Sequence, residues 1–130
     1  MITEDYCSFE VAKLLKEKGF NLECETSYYI SNEGCENVVC VGDFTKVRPW
    51  REALIAAPTH QMATKWLREV HNIFIVIEPH MYDYINKKIS SYVISLWQGD
   101  NYYENVTSQD YSTYEEAVEA TLKCVLKNII

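Results

Sequence analysis

Residues 59–77 read Thr-His-Gln-Met-Ala-Thr-Lys-Trp-Leu-Arg-Glu-Val-His-Asn-Ile-Phe-Ile-Val-Ile, and the period of their hydrophobic pattern changes partway along. Up to Asn72 the period is helical. Thr59 is placed to cap the N-terminus, Met62, Trp66, Leu67 and Val70 make an apolar stripe, and His71-Asn72 close the helix. From Ile73 to Ile77 every residue is apolar and most are β-branched, which predicts a strand bounded by Pro79. A strand apolar on both faces is expected near the centre of a sheet.

Working outward from this stretch, both flanks read as hairpins and capped helices. Downstream, residues 80–88 form a polar connection containing Tyr82 and Tyr84. Ser90 to Trp97 then alternates, with Tyr92, Ile94 and Leu96 opposite Ser91, Val93, Ser95 and Trp97, and Gln98-Gly99-Asp100-Asn101 turns the chain into a return strand over 102–106. The last helix opens on a capping box, Ser112 with Glu115 or Thr113 with Glu116. Its buried stripe is expected at Tyr114, Val118, Thr121, Leu122, Val125 and Ile129.

Upstream, residues 43–58 are the least regular stretch, since Pro49 blocks a central strand and Pro58 forces Ala57 to be extended. Residues 24–31 alternate, and 38–41 return through a turn at Asn32-Glu33-Gly34. The first helix begins at Ser8, carries Val11, Leu14 and Leu15, and stops at Gly19 with Phe20 folded back in a Schellman arrangement. The resulting order is α-β-β-α-β-β-β-α. It predicts one α+β domain over residues 1–130, a mainly antiparallel sheet of about five strands with helices packed on one face.

Composition fits an ordinary globular chain of 130 residues, 48% apolar and 24% charged. Ten Tyr, three Trp and four Phe favour strands. No apolar run reaches transmembrane length, so no membrane partner is expected. The opening MITEDYCSFEVAKLL has acids where a leader peptide would have bases. Five cysteines, odd in number and irregularly spaced, are expected as free thiols in a reducing, cytoplasmic setting. The net charge of −7 disfavours a nucleic-acid partner, although the excess of bases in residues 46–90 leaves a mildly basic island.

Candidate chemistry is sparse. His60 and His71 share a helix face three turns apart and cannot ligate one ion, and no CxxC or HxxxH pair exists, so no metal is expected. Four glycines leave no phosphate-binding loop, and no cofactor is expected. Glu115-Glu116 reads as capping and Glu23-Glu25 as a solvent face, not as an acid–base couple. Cys7 precedes the first helix, where the helix dipole could lower a thiol pKa, but an N-terminal packing or exposed thiol is much the plainer reading. The densest stretch remains the segment around 58–72. Arg48, Trp50, Arg51, Lys65, Arg68, Glu69 and His71 compose a candidate positive-aromatic binding face. A solvated helix face with a Lys65–Glu69 pair is the plainer reading of the same residues.

The run from Pro58-Thr59 through Lys65-Trp66-Leu67-Arg68-Glu69-Val70-His71-Asn72-Ile73 resembles a motif in small proteins encoded by phages, prophages and other mobile elements of gut Bacteroidetes. Lys18-Gly19-Phe20, Tyr28-Tyr29 and Tyr114-Glu115-Glu116-Ala117 fit the same pattern. The resemblance implies a bacterial or phage cytoplasmic setting and an accessory role, and it brings no catalytic residues with it. The expected function is therefore a non-enzymatic interaction protein, a homodimer or the binder of another protein. The alternatives are a nucleic-acid-binding accessory protein using the basic segment 46–68, and an enzyme with a Cys/His centre.

Overall fold

The computed structural model describes residues 2–30, 38–41, 54–83, 85, 88–104, 106 and 111–130. The chain is α+β and divides into two compact units, Met1–Ala63 with Ile130, and Thr64–Ile129. Helix α2 (His60–His71) contributes its first residues to one and the remainder to the other.

In the first unit, helix α1 (Phe9–Glu17) has both ends specified locally. The Ser8 hydroxyl accepts the Val11 N–H at 3.3 Å. At the other end Phe20 N–H donates to the Leu15 carbonyl (2.9 Å) and Gly19 N–H to that of Lys16 (3.2 Å), with Gly19 at φ +96°. This is the expected Schellman stop, and a residue with a Cβ would be strained in that backbone region. Val11, Ala12, Leu15 and Phe20 are buried.

Strands β1 (Ser27–Ile30), β2 (Val38–Val41) and β3 (Leu54–Ala56) form an antiparallel sheet in the order β2-β1-β3, and α1 lies against β3. Tyr28 pairs with Cys40 on one side and Ile55 on the other. Beyond β3 the pairing persists: Ala57 N–H donates to the Thr26 carbonyl (3.0 Å), and the Thr26 hydroxyl to that of Ala57 (2.7 Å). The extended Ala57 is what Pro58 demands. The β1–β2 hairpin was expected, whereas β3 was not, because it is three residues long and only Ala57 separates it from Pro58. The turn at 32–34 and Pro49 lie outside the described residues.

The Thr59 hydroxyl accepts the Met62 N–H (3.1 Å), so α2 starts where the sequence indicates. Its buried stripe is narrower than expected: Ala63, Trp66 and Leu67, at i, i+3 and i+4. Met62 is 38% and Val70 61% exposed, so neither belongs to it. Asn72, at φ +56°, turns the chain out of the helix in a left-handed conformation that Asn tolerates better than most residues.

The second unit holds the antiparallel sheet β4-β5-β6, with β4 spanning Ile73–Asp83, β5 Lys88–Gln98 and β6 Asn101–Glu104. Among the described residues β4 has β5 as its one neighbour, so it lies at an edge and β5 is central. That corrects the expectation from the apolar run. The strand also continues through Pro79, and its edge position explains how. The two-residue turn Gly99-Asp100, with Gly99 at φ +60°, makes Gln98↔Asn101 a hydrogen-bonded pair. Alternation along β5 then makes Pro79↔Tyr92 a non-hydrogen-bonded pair, with the proline nitrogen on the outer side of β4. Residues 80–83 and 88, expected to lie in a polar connection, are strand, with register shifts at His80/Met81 and Met81/Asp83.

Helix α3 (Tyr114–Cys124) packs on this sheet against β4 and β5. Thr113 is its N-cap, accepting the Glu116 N–H at 3.1 Å, and the Ser112 hydroxyl donates to the Glu116 carboxylate at 3.0 Å. Ala117, Val118, Thr121 and Leu122 are buried, and a π-helical turn over Val125–Ile129 carries buried Val125 and Leu126. Tyr114 stays exposed, with an edge contact to Tyr92 at 6.0 Å, so it is not part of the buried stripe.

Among the described residues, six strands in two three-stranded antiparallel sheets thus stand in place of one sheet of about five. In the second sheet Ile73, Ile94 and Leu96 are buried, whereas Phe74, Val93 and Trp97 point the other way and are exposed. This sidedness predicts that Leu96→Ala costs about 2–5 kcal/mol of unfolding free energy. Val93→Ala, three residues away on the opposite face, should cost under about 1 kcal/mol. Urea denaturation of both variants measures the difference, and equal losses would contradict the sidedness.

Candidate interaction surface

The candidate residues around α2 divide into those the structure places and those outside the described residues. Arg48, Trp50 and Arg51 belong to the latter. Lys65, Arg68 and Glu69 are exposed on the helix. Lys65 and Glu69 form the i,i+4 ion pair at 3.9 Å, with side chains 61% and 67% exposed. Solvent screening leaves such a pair little energetic weight. His71 turns away from these charges and sets its ring edge-on to Trp66 at 4.7 Å, with its Nε2 buried and without a hydrogen-bond partner. Trp66 is a core residue. The described part of this helix is therefore a solvated face over a packed tryptophan.

A denser aromatic surface lies on the β4-β5-β6 sheet. Phe74 pairs with Trp97, and Trp97 pairs with Tyr102, so the three side chains form one cross-strand row. Against β6, Trp97 occupies a non-hydrogen-bonded pair, where facing side chains approach most closely. The Trp97 and Tyr102 ring centroids are 4.7 Å apart, with planes tilted by 41°. Phe74, Trp97 and Tyr102 remain 44%, 44% and 46% exposed. Val76, Ser95 and Glu104 form the next row of this face, followed by Glu78 and Val93. Between Phe74 and Glu78, Val93 and Trp97, and Tyr102 and Glu104, the face carries two exposed carboxylates and no Lys or Arg.

At the β6 edge of that sheet a shallow cleft of about 480 Å³ opens beside the π-helical turn, lined by Gln98, Tyr103, Glu104, Val106, Asn128 and Ile129. Nearby, the Cys124 thiol donates to the Val106 carbonyl at 3.7 Å.

In the first unit the segment before α1 runs antiparallel to residues 58–60, which lead into α2. Tyr6 bridges Thr59, Cys7 N–H donates to the Pro58 carbonyl (2.9 Å) and His60 N–H to that of Asp5 (2.9 Å). This pairing brings the Cys7 Sγ within 4.8 Å of a His60 ring nitrogen. The Tyr28 hydroxyl donates to the Cys7 carbonyl at 2.6 Å, and Phe9 meets the Tyr28 ring edge-on. A thiol and an imidazole are donor types that zinc accepts. No local spacing signals the pair, because 52 residues of chain separate the two side chains. Cys7 is fully buried, so its sulfur has no route to a bulky electrophile.

Cys7, Cys24 and Cys124 are free thiols. Cys35 lies outside the described residues. Comparison of the chain with protein-family models, curated proteins and solved structures finds no match. No helix among the described residues is long and apolar enough to cross a membrane.

Cys24 provides a measurable reporter of the first unit. Burial pushes its thiol from 9.0 up to about 11. A pKa raised on folding means that the native state holds its proton more tightly than the unfolded chain. The associated stability is complete below pH 9 and is lost as pH rises towards 11. Unfolding free energies measured across that window should fall less steeply for Cys24→Ala than for the unaltered chain. Parallel curves would contradict the burial of the thiol.

Proposed function

We propose that this chain is a non-enzymatic interaction protein that recognises a protein partner or a second copy of itself through the outer face of the β4-β5-β6 sheet. The observation that carries this reading is the half-exposed cross-strand row Phe74–Trp97–Tyr102. Aromatic side chains held rigidly by strand pairing bury much area on binding and lose little conformational entropy, which is why they concentrate in binding hot spots. A bacterial cytoplasmic setting and an accessory role in phages or other mobile elements accord with this reading. They rest on the sequence resemblance and on the expectation of free thiols.

Trp97→Ser/Tyr102→Ser tests the proposal, since both positions are half exposed and their loss should leave the fold intact. The unaltered protein should sediment as a dimer or co-purify a stoichiometric protein partner. The double variant, with an unchanged circular dichroism spectrum, should lose that association by a factor of ten or more, on the order expected for removing two aromatic anchors. A chain that sediments as a monomer and retains no protein would defeat the reading, as would a double variant that associates normally.

A further inference from the structure

We infer that the aromatic face of the β4-β5-β6 sheet docks a cationic, extended segment of a partner protein. The inference rests on the proposed use of this face for binding and identifies what occupies it.

The charge on the face decides among occupants. Its aromatic row stands beside Glu104, two residues along β6 from Tyr102 and therefore on the same side of the sheet, roughly 7 Å away along the strand. Glu78 lies one row further on, opposite Val93. A guanidinium stacked over Trp97 and Tyr102 gains the ring quadrupoles and lies within a side chain's reach of the Glu104 carboxylate. A second cation one or two alternate residues along an extended segment reaches Glu78, with Val76 and Val93 taking the apolar side chains between them. Each part of the face is then used, and both carboxylates are paired as they lose water.

The other occupants are less well matched. A second copy laid face to face would bring four carboxylates into one desolvated interface with no cation to offset them. A nucleic acid could stack bases on the aromatic row, but its phosphates would meet Glu78 and Glu104 where a binding platform needs Lys or Arg.

Fluorescence anisotropy with a labelled peptide alternating Arg and Val tests the inference on the full chain. A labelled Glu/Val peptide and a short oligothymidylate serve as the other probes. The Arg/Val peptide should bind with salt-sensitive affinity while the other two do not. Glu78→Lys/Glu104→Lys should weaken its binding at least tenfold, the scale on which charge complementarity selects partners. Glu4→Lys/Glu17→Lys, which changes net charge equally on the first unit, should leave binding within a factor of two. Equal losses in the two charge variants, binding of the Glu/Val peptide or retention of the oligonucleotide would each overturn the inference. If Trp97→Ser/Tyr102→Ser abolishes association while Glu78→Lys/Glu104→Lys preserves it, the face binds but its occupant is not cationic. If neither variant affects any association, the binding role of the face falls as well.

Discussion

The register between β4 and β5 is the constraint on which the second unit depends. It is set where the helix ends. Asn72 leaves α2 in a left-handed conformation, and its carbonyl accepts the N–H of Gly99 (3.2 Å), the first residue of the β5–β6 turn. That contact places Ile73 opposite Gln98, and the pairs as far as His80↔Ser91 follow from it. Because side chains alternate faces, a slip of one residue would exchange Ile73 and Leu96 with Phe74 and Trp97. The core under α3 and the aromatic row outside are two results of a single alignment. The contact that fixes it joins an Asn and a Gly that both sit at positive φ.

Elements whose causes are local could be read from the chain. The ends of α1, the N-caps of α2 and α3 and the Gly99 turn each depend on a few adjacent residues, and each stands where those residues put it. Features that depend on distant partners could not be read in this way. The apolar run Ile73–Ile77 suggested a central strand, yet exposure of its Phe74 face is compatible with the edge position it takes. Pro79 looked like a terminator because its meaning depends on which side of the strand has a neighbour. Strand β3 is three residues long, too short for a period to show, and β1 stabilises it from across the sheet.

The same distinction applies to the site. The alternation of 90–97 correctly placed Trp97 opposite Ile94 and Leu96, but nothing in a single strand says whether the second face is covered. Phe74 and Tyr102 become its neighbours only through pairing, so three separate residues in the sequence make one surface in the fold. The helix residues Lys65, Arg68 and Glu69 drew attention because charge and tryptophan are adjacent there in sequence. In space Trp66 points to the core and the charges to water. Cys7 and His60 meet for a reason equally invisible in composition, the short antiparallel contact between residues 5–7 and 58–60.

Pro79 has a consequence for how the chain behaves at high concentration and during synthesis. Eleven residues of β4 would otherwise offer a long, apolar row of donors and acceptors for another strand to add to. With its nitrogen turned outward, Pro79 leaves a gap in that row, and the register shifts at His80/Met81 and Met81/Asp83 make the ladder irregular just beyond it. Any strand adding at this edge would have to end near Ile77, which limits the growth of stacked, fibre-like assemblies. The chain can therefore carry a β-rich, aromatic sheet whose rim is a poor template for strand addition.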